Sequence, residues 1–92
     1  MGDRMIERDT TIVNSLGLHA RPAAQIVRLA SSFQSEVQLA KDGFSVNGKS
    51  IMGVMMLAAE CGSTLTVRAE GPDEAQAVSA IAELVAQGFG ES

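Results

Sequence analysis

"SEVQLAKDGFSVNGKS" (residues 35–50) changes backbone pattern twice within a short span. Val37 and Leu39 point to one side of an extended chain, and Glu36 and Gln38 to the other, the period-two pattern of a half-buried strand. Asp42-Gly43 supplies two residues that tolerate positive φ, which predicts a tight hairpin with residues 44–47 as the returning strand. Asn47-Gly48 breaks that strand, and the Ser50 hydroxyl is placed to cap a helix that follows at once. That helix reads "IMGVMMLAAE" and is expected to end before Gly62.

Upstream, residues 5–13 are rich in Ile, Val and Thr, with Ile6, Thr10 and Ile12 on one face of an expected strand. Asn14 to Gly17 is a turn cluster. From Ala20 the apolar residues Ala23, Ile26, Val27, Ala30 and Phe33 recur at helical spacing, predicting a helix to Ser31 or Ser32. Downstream, "STLTVRAEG" alternates again, with Leu65, Val67 and Ala69 inward and Thr64, Thr66, Arg68 and Glu70 outward. Gly71-Pro72 turns the chain. Asp73 and Glu74 put negative charge at the start of a last helix whose stripe is Val78, Ile81, Ala82 and Val85, with Leu84 at its margin. The tail "GFGES" is expected to fray. The order βαββαβα, with half-polar strands and amphipathic helices, implies an α+β two-layer sandwich: a four-stranded sheet with three helices on one face.

The bulk properties bound the function. The 92 residues are expected to form a single domain, residues 1–92 with a core of about 5–87, too small to enclose a deep active site. A 46% hydrophobic and 20% charged composition is that of a globular protein and argues against disorder. Seven basic against eleven acidic residues, with three Phe and neither Trp nor Tyr, argue against nucleic acid as a partner, whether by backbone charge or base stacking. One Cys and one His cannot build a zinc site, so no metal or cofactor is expected. Cys61 reads as a small buried or half-buried hydrophobe. No apolar run is long enough to insert in a membrane. The opening "MGDRMIERDT" lacks the apolar stretch of a secretory signal, and Ile6 departs from the myristoylation pattern. The expected location is the cytoplasm.

His19, in "LGLHARPAAQ" (residues 16–25), is the only histidine. A helix starting at Ala20 puts it at or beside the N-cap, where the backbone N–H groups of Ala20 and Arg21 lack intrahelical acceptors. Pro22 suits the first turn, where its missing N–H costs no hydrogen bond. The positive helix end favours a neutral, nucleophilic imidazole. A phosphoryl group on that ring would lie near the free amides and the Arg21 guanidinium, which pairs well with phosphate oxygens. A histidine at a helix start is more often a surface or capping residue than a nucleophile, and the residues alone leave that choice open. A hydrolase would need a catalytic partner for His19 that the sequence does not supply.

Over the short helix, Val54, Leu57 and Ala58 supply the buried stripe. Ile51, Met52 and Met55 are surplus to it, read either as adaptable core filler or as a docking patch. Ser50 is explained by capping; a phosphate there would place negative charge beside the patch and alter docking.

"GLHARPAA", "KSIMGVMMLAA" and "TVRAEG", followed by a terminal helix, resemble the HPr family of phosphocarriers of the phosphoenolpyruvate-dependent phosphotransferase system, from about Met5 to Ala86. The resemblance implies an open-faced β-sandwich in which His19 accepts phosphate on Nδ1, the pros nitrogen, from phosphorylated enzyme I and passes it to IIA proteins or domains. It implies a phosphate-stabilising role for Arg21, a regulatory serine at Ser50 modified by a kinase in some members, and partner binding by Ile51, Met52 and Met55 with Arg28 and Lys49 on a charged rim. Leu16 departs from the Asn or Ser of some relatives and removes a side-chain hydrogen bond to the ring; Pro72 and "AQGFGES" are further departures. Sugar uptake and a nitrogen-linked regulatory relay share these motifs. A pure interaction module acting through the Ile51/Met52/Met55 patch is the alternative from a different class.

Overall fold

A computed structural model describes residues 5–91. Met1 to Arg4, part of the stretch read against a secretory signal, and Ser92 at the end of the tail lie outside the described residues.

The described residues run β1 (Ile6–Thr11), α1 (Ala20–Ser31), β2 (Glu36–Lys41), β3 (Phe44–Asn47), α2 (Ile51–Met56), β4 (Thr64–Glu70) and α3 (Glu74–Ala86), then a single tight turn at Gly88–Gly90. The strands form one antiparallel sheet in the order β1-β4-β2-β3. The hairpin closes as the sequence predicts. Lys41 pairs with Phe44 across Asp42 and Gly43, whose φ values of 52° and 82° match the twist of the flanking strands.

Val37, Leu39, Leu65, Val67 and Ala69 face the helices and are buried with Ala23, Ile26 and Ala30 of α1 and Val78, Ile81 and Val85 of α3. The other face of the sheet is polar and tied across strands. Arg68 pairs opposite Glu7 and donates to its carboxylate at 2.8 Å, and Thr66 donates to Asp9 at 2.7 Å. One face is thus packed and one solvated, as the alternation of residues 64–70 requires.

Three expectations need correction. The helix after Ser50 ends at Met56, well short of Gly62, because Ala58 enters the left-handed region at φ 50°. That bend exposes Ala58 and turns Ala59 inward, where its carbonyl accepts from Leu18 N–H at 2.9 Å. Long-range backbone pairing, invisible to helical spacing, overrides propensity here. Cys61 is exposed, with its thiol 3.8 Å from the Val13 carbonyl. The tail does not fray over its described part. Phe89 is buried in the core cluster, its carbonyl accepts from Gln25 Nε2 at 3.2 Å, and Glu91 reaches across to His19.

Among the described residues no helix is long and apolar enough to cross a membrane.

Candidate functional site

His19 is the N-cap residue of α1, with extended backbone angles (φ −77°, ψ −173°). The first intrahelical bond runs from Ala23 N–H to the His19 carbonyl at 3.0 Å, so the amides of Ala20 and Arg21 precede it and find no acceptor within the helix. The His19 side chain makes no capping bond to them. Pro22, buried in the same turn, has no N–H to leave unpaired. The helix end therefore presents open donors beside a half-exposed imidazole.

The loop before the helix is held firmly. Gly17 sits at φ +67°, and a Cβ there would lie 2.5 Å from the Ala59 carbonyl oxygen, so only glycine fits this close approach. Asn14, buried, donates from Nδ2 to the Gly17 carbonyl at 2.8 Å and to Glu91 Oε1 at 3.0 Å. The same Glu91 oxygen lies 2.8 Å from His19 Nε2. An ionised carboxylate only accepts, so Nε2 is the donor in this contact. Two hydrogen bonds, first that from His19 and then that from Asn14, hold the Glu91 carboxyl below its ordinary value of 4.5; partial burial opposes this and the nearby Arg21 charge adds to it. Nδ1 makes no hydrogen bond among the described residues.

Arg21 is exposed, and its side chain makes no hydrogen bond or ion pair among the described residues. Ser50 is the N-cap of α2, and its hydroxyl accepts from Gly53 N–H at 3.1 Å. Ile51, Met52 and Met55 are exposed, while Val54 and Leu57 carry the buried stripe. Met56 is exposed as well and continues the Met55 run beyond the residues singled out from the sequence; Leu16 is also exposed. Arg28 lies exposed in the last turn of α1, and the Lys49 ammonium donates to the Phe33 carbonyl at 2.9 Å. Glu91 and Asn14 are the two site residues that sequence reasoning missed. The only available signal was a large aromatic, Phe89, inside an otherwise small and polar tail.

Residues 6–87 match the family model described as "PTS HPr component phosphorylation site". The chain belongs to the HPr family of phosphocarriers of the phosphotransferase system. It is 54% identical over 87 residues to the phosphocarrier protein HPr of Cupriavidus necator, covering 95% of this chain and 98% of that one. To the HPr of Treponema pallidum it is 51% identical, again over 87 residues, with 95% and 99% covered. Among solved structures, HPr-C-His from Thermoanaerobacter tengcongensis superposes with a TM-score of 0.90 at 45% identity, covering 95% of this chain and 98% of that chain.

Proposed function

We propose that this chain, a single HPr domain working in the cytoplasm, relays phosphoryl groups on His19: it accepts them on Nδ1 from phosphorylated enzyme I and delivers them to IIA proteins or domains. The observation that carries the reading is the half-exposed imidazole at the open N-terminus of α1, its Nε2 engaged and its Nδ1 unengaged. The lone pair of Nδ1 bonds to phosphorus while the bond to the donor breaks, its electron pair leaving with the donor. The nascent phosphoryl oxygens then lie within reach of the Ala20 and Arg21 amides and of the exposed Arg21 guanidinium, groups suited to a dianion. The exposed Ile51, Met52, Met55 and Met56 form the surface that meets both partners, with Arg28 and Lys49 at its rim. A phosphate placed on Ser50 by a serine kinase, and removed again by the matching phosphorylase, weakens docking at that surface by adding charge.

Incubation with phosphoenolpyruvate and enzyme I yields acid-labile phosphate on His19 and none in His19→Ala. Phosphate retained by His19→Ala under those conditions refutes the assignment. Parallel delivery assays with a sugar-specific and a nitrogen-type IIA acceptor then separate the two branches. The competing reading, a module that works through docking alone, draws on the exposed methionines. It requires partner affinity that is indifferent to His19→Ala but lost in Met52→Asp.

A further inference from the structure

We infer that Glu91 directs phosphorylation to Nδ1 of His19 by occupying Nε2. This rests on the phosphocarrier reading above and adds to it the choice of nitrogen. An imidazole offers two nitrogens to a phosphoryl donor, so a carrier with a defined product must disable one of them. Glu91 Oε1 lies 2.8 Å from Nε2, and Asn14 Nδ2 donates to the same oxygen at 3.0 Å. Because the carboxylate can only accept, Nε2 carries the proton and has no lone pair available for attack. The neutral ring then keeps its lone pair on Nδ1, which is unengaged among the described residues. The negative charge of Glu91 also stands in the path a phosphoryl dianion would take toward Nε2.

The carboxylate is held in place from both sides. Phe89 is buried two residues before it, with the Phe89 carbonyl tied to Gln25, and Asn14 is braced on the Gly17 carbonyl. Phosphorylation at Nδ1 leaves the proton on Nε2, so the ring becomes an imidazolium between two anions, the new phosphoryl group on one nitrogen and Glu91 on the other. The Nε2–H bond to the carboxylate is then charge-assisted at both ends. Delivery reverses the step: the Nδ1–P bond breaks, its electron pair returns to the ring, and the Nε2 proton stays throughout. Glu91 touches no transferred atom and is a positioning residue.

The test uses the full chain and phosphoramidate, a small donor whose P–N bond breaks with release of ammonia and which requires no partner protein. Ring ¹⁵N and ³¹P NMR distinguish the two phosphohistidine isomers. The unsubstituted protein is expected to carry phosphate on Nδ1. Glu91→Ala is expected to raise the Nε2 share by about tenfold, the scale of losing one hydrogen bond to a charged group. Glu91→Gln keeps an acceptor oxygen for Nε2–H but loses the negative charge, and is expected to fall between the unsubstituted protein and Glu91→Ala. A residue of merely structural importance would not change the isomer ratio while the rest of the spectrum stays native. The inference is overturned by an Nδ1–H tautomer in the unphosphorylated ring, by phosphate on Nε2 in the unsubstituted protein, or by an unchanged ratio in Glu91→Ala. If phosphoramidate labels Nδ1 but phosphoenolpyruvate and enzyme I label nothing, the carrier reading fails and the role of Glu91 stands. If enzyme I transfers efficiently but Glu91→Ala keeps its isomer ratio, the carrier reading stands and the role of Glu91 fails.

Discussion

Replacing Phe89 by alanine probes both the core and the site. Phe89 is 5% exposed and belongs to the main apolar cluster, so truncation removes most of an aromatic ring from a packed environment. Such changes cost about 3–5 kcal/mol; a position near the end of the described chain can relax, so about 3 kcal/mol is expected. For a domain of this size that lowers the melting midpoint by more than about 10 °C. Phe89 sits at φ 59°, a left-handed conformation that costs roughly 1–2 kcal/mol for any residue with a Cβ. Phe89→Gly escapes that cost and should therefore equal or exceed Phe89→Ala in stability, the reverse of the usual ranking. Urea unfolding of the three proteins reads both numbers, and NMR of the His19 ring reports whether Glu91 has left Nε2. A loss below about 1 kcal/mol in Phe89→Ala would show that the aromatic ring is not packed as described. A glycine variant clearly weaker than the alanine one would contradict the left-handed backbone.

Other substitutions test the surrounding structure. Ser50→Ala removes the acceptor for Gly53 N–H and should cost about 1 kcal/mol in thermal unfolding. Ser50→Asp retains a capping oxygen and should hold stability within about 0.5 kcal/mol, yet weaken enzyme I binding in calorimetry by charging the methionine surface. Gly17→Ala drives a Cβ to 2.5 Å from the Ala59 carbonyl oxygen at φ +67° and should destabilise by roughly 2–3 kcal/mol in urea. Asp73 accepts from the Ser35 hydroxyl at 2.6 Å and from the Ser35 and Gln34 amides, each at 2.9 Å. These bonds, the Ser35 hydroxyl first, hold its carboxyl below its ordinary value of 3.8. A carboxyl depressed in the folded state contributes stability above its unfolded value and loses it as pH falls through the folded one. Asp73→Asn should therefore be weaker than the unsubstituted protein at neutral pH, with the gap closing in denaturant midpoints measured progressively below pH 3.8.

Most of the framework was legible because it is specified locally. The Asp42-Gly43 turn, the Ser50 cap and the Ala20 helix start each depend on neighbours a few residues away, and the alternation of Leu65, Val67 and Ala69 reports its own buried face. What escaped was set at a distance. Helical spacing runs through Ala58 because nothing nearby reveals that the Ala59 carbonyl must meet Leu18. Cys61 resembles core filler in sequence because its exposure follows from the loop that this bend creates. Glycine on either side of Phe89 suggests looseness, whereas those glycines adopt φ values of 73° and 75° that let the chain curl and bury the ring. Half the candidate site was readable for the same reason. His19 and Arg21 announce a helix start, but Glu91 stands 72 positions from His19 and no spacing rule connects them.

The sheet order has a consequence for biosynthesis. β4 lies between β1 and β2, pairing with β1 on one side and with β2 on the other, while the second edge of β2 carries β3. A nascent chain that has exposed only the first hairpin and α1 can close one local ladder and nothing more. Pairing across the middle must wait until residues 64–70 leave the ribosome, and His19 stays without its carboxylate partner until Glu91 follows. Such non-local wiring slows folding relative to a bundle of similar size and makes the transition nearly all-or-none. A ribosome stalled upstream of β4 would therefore display β1 and β2 with bare edges, open to pairing with another chain.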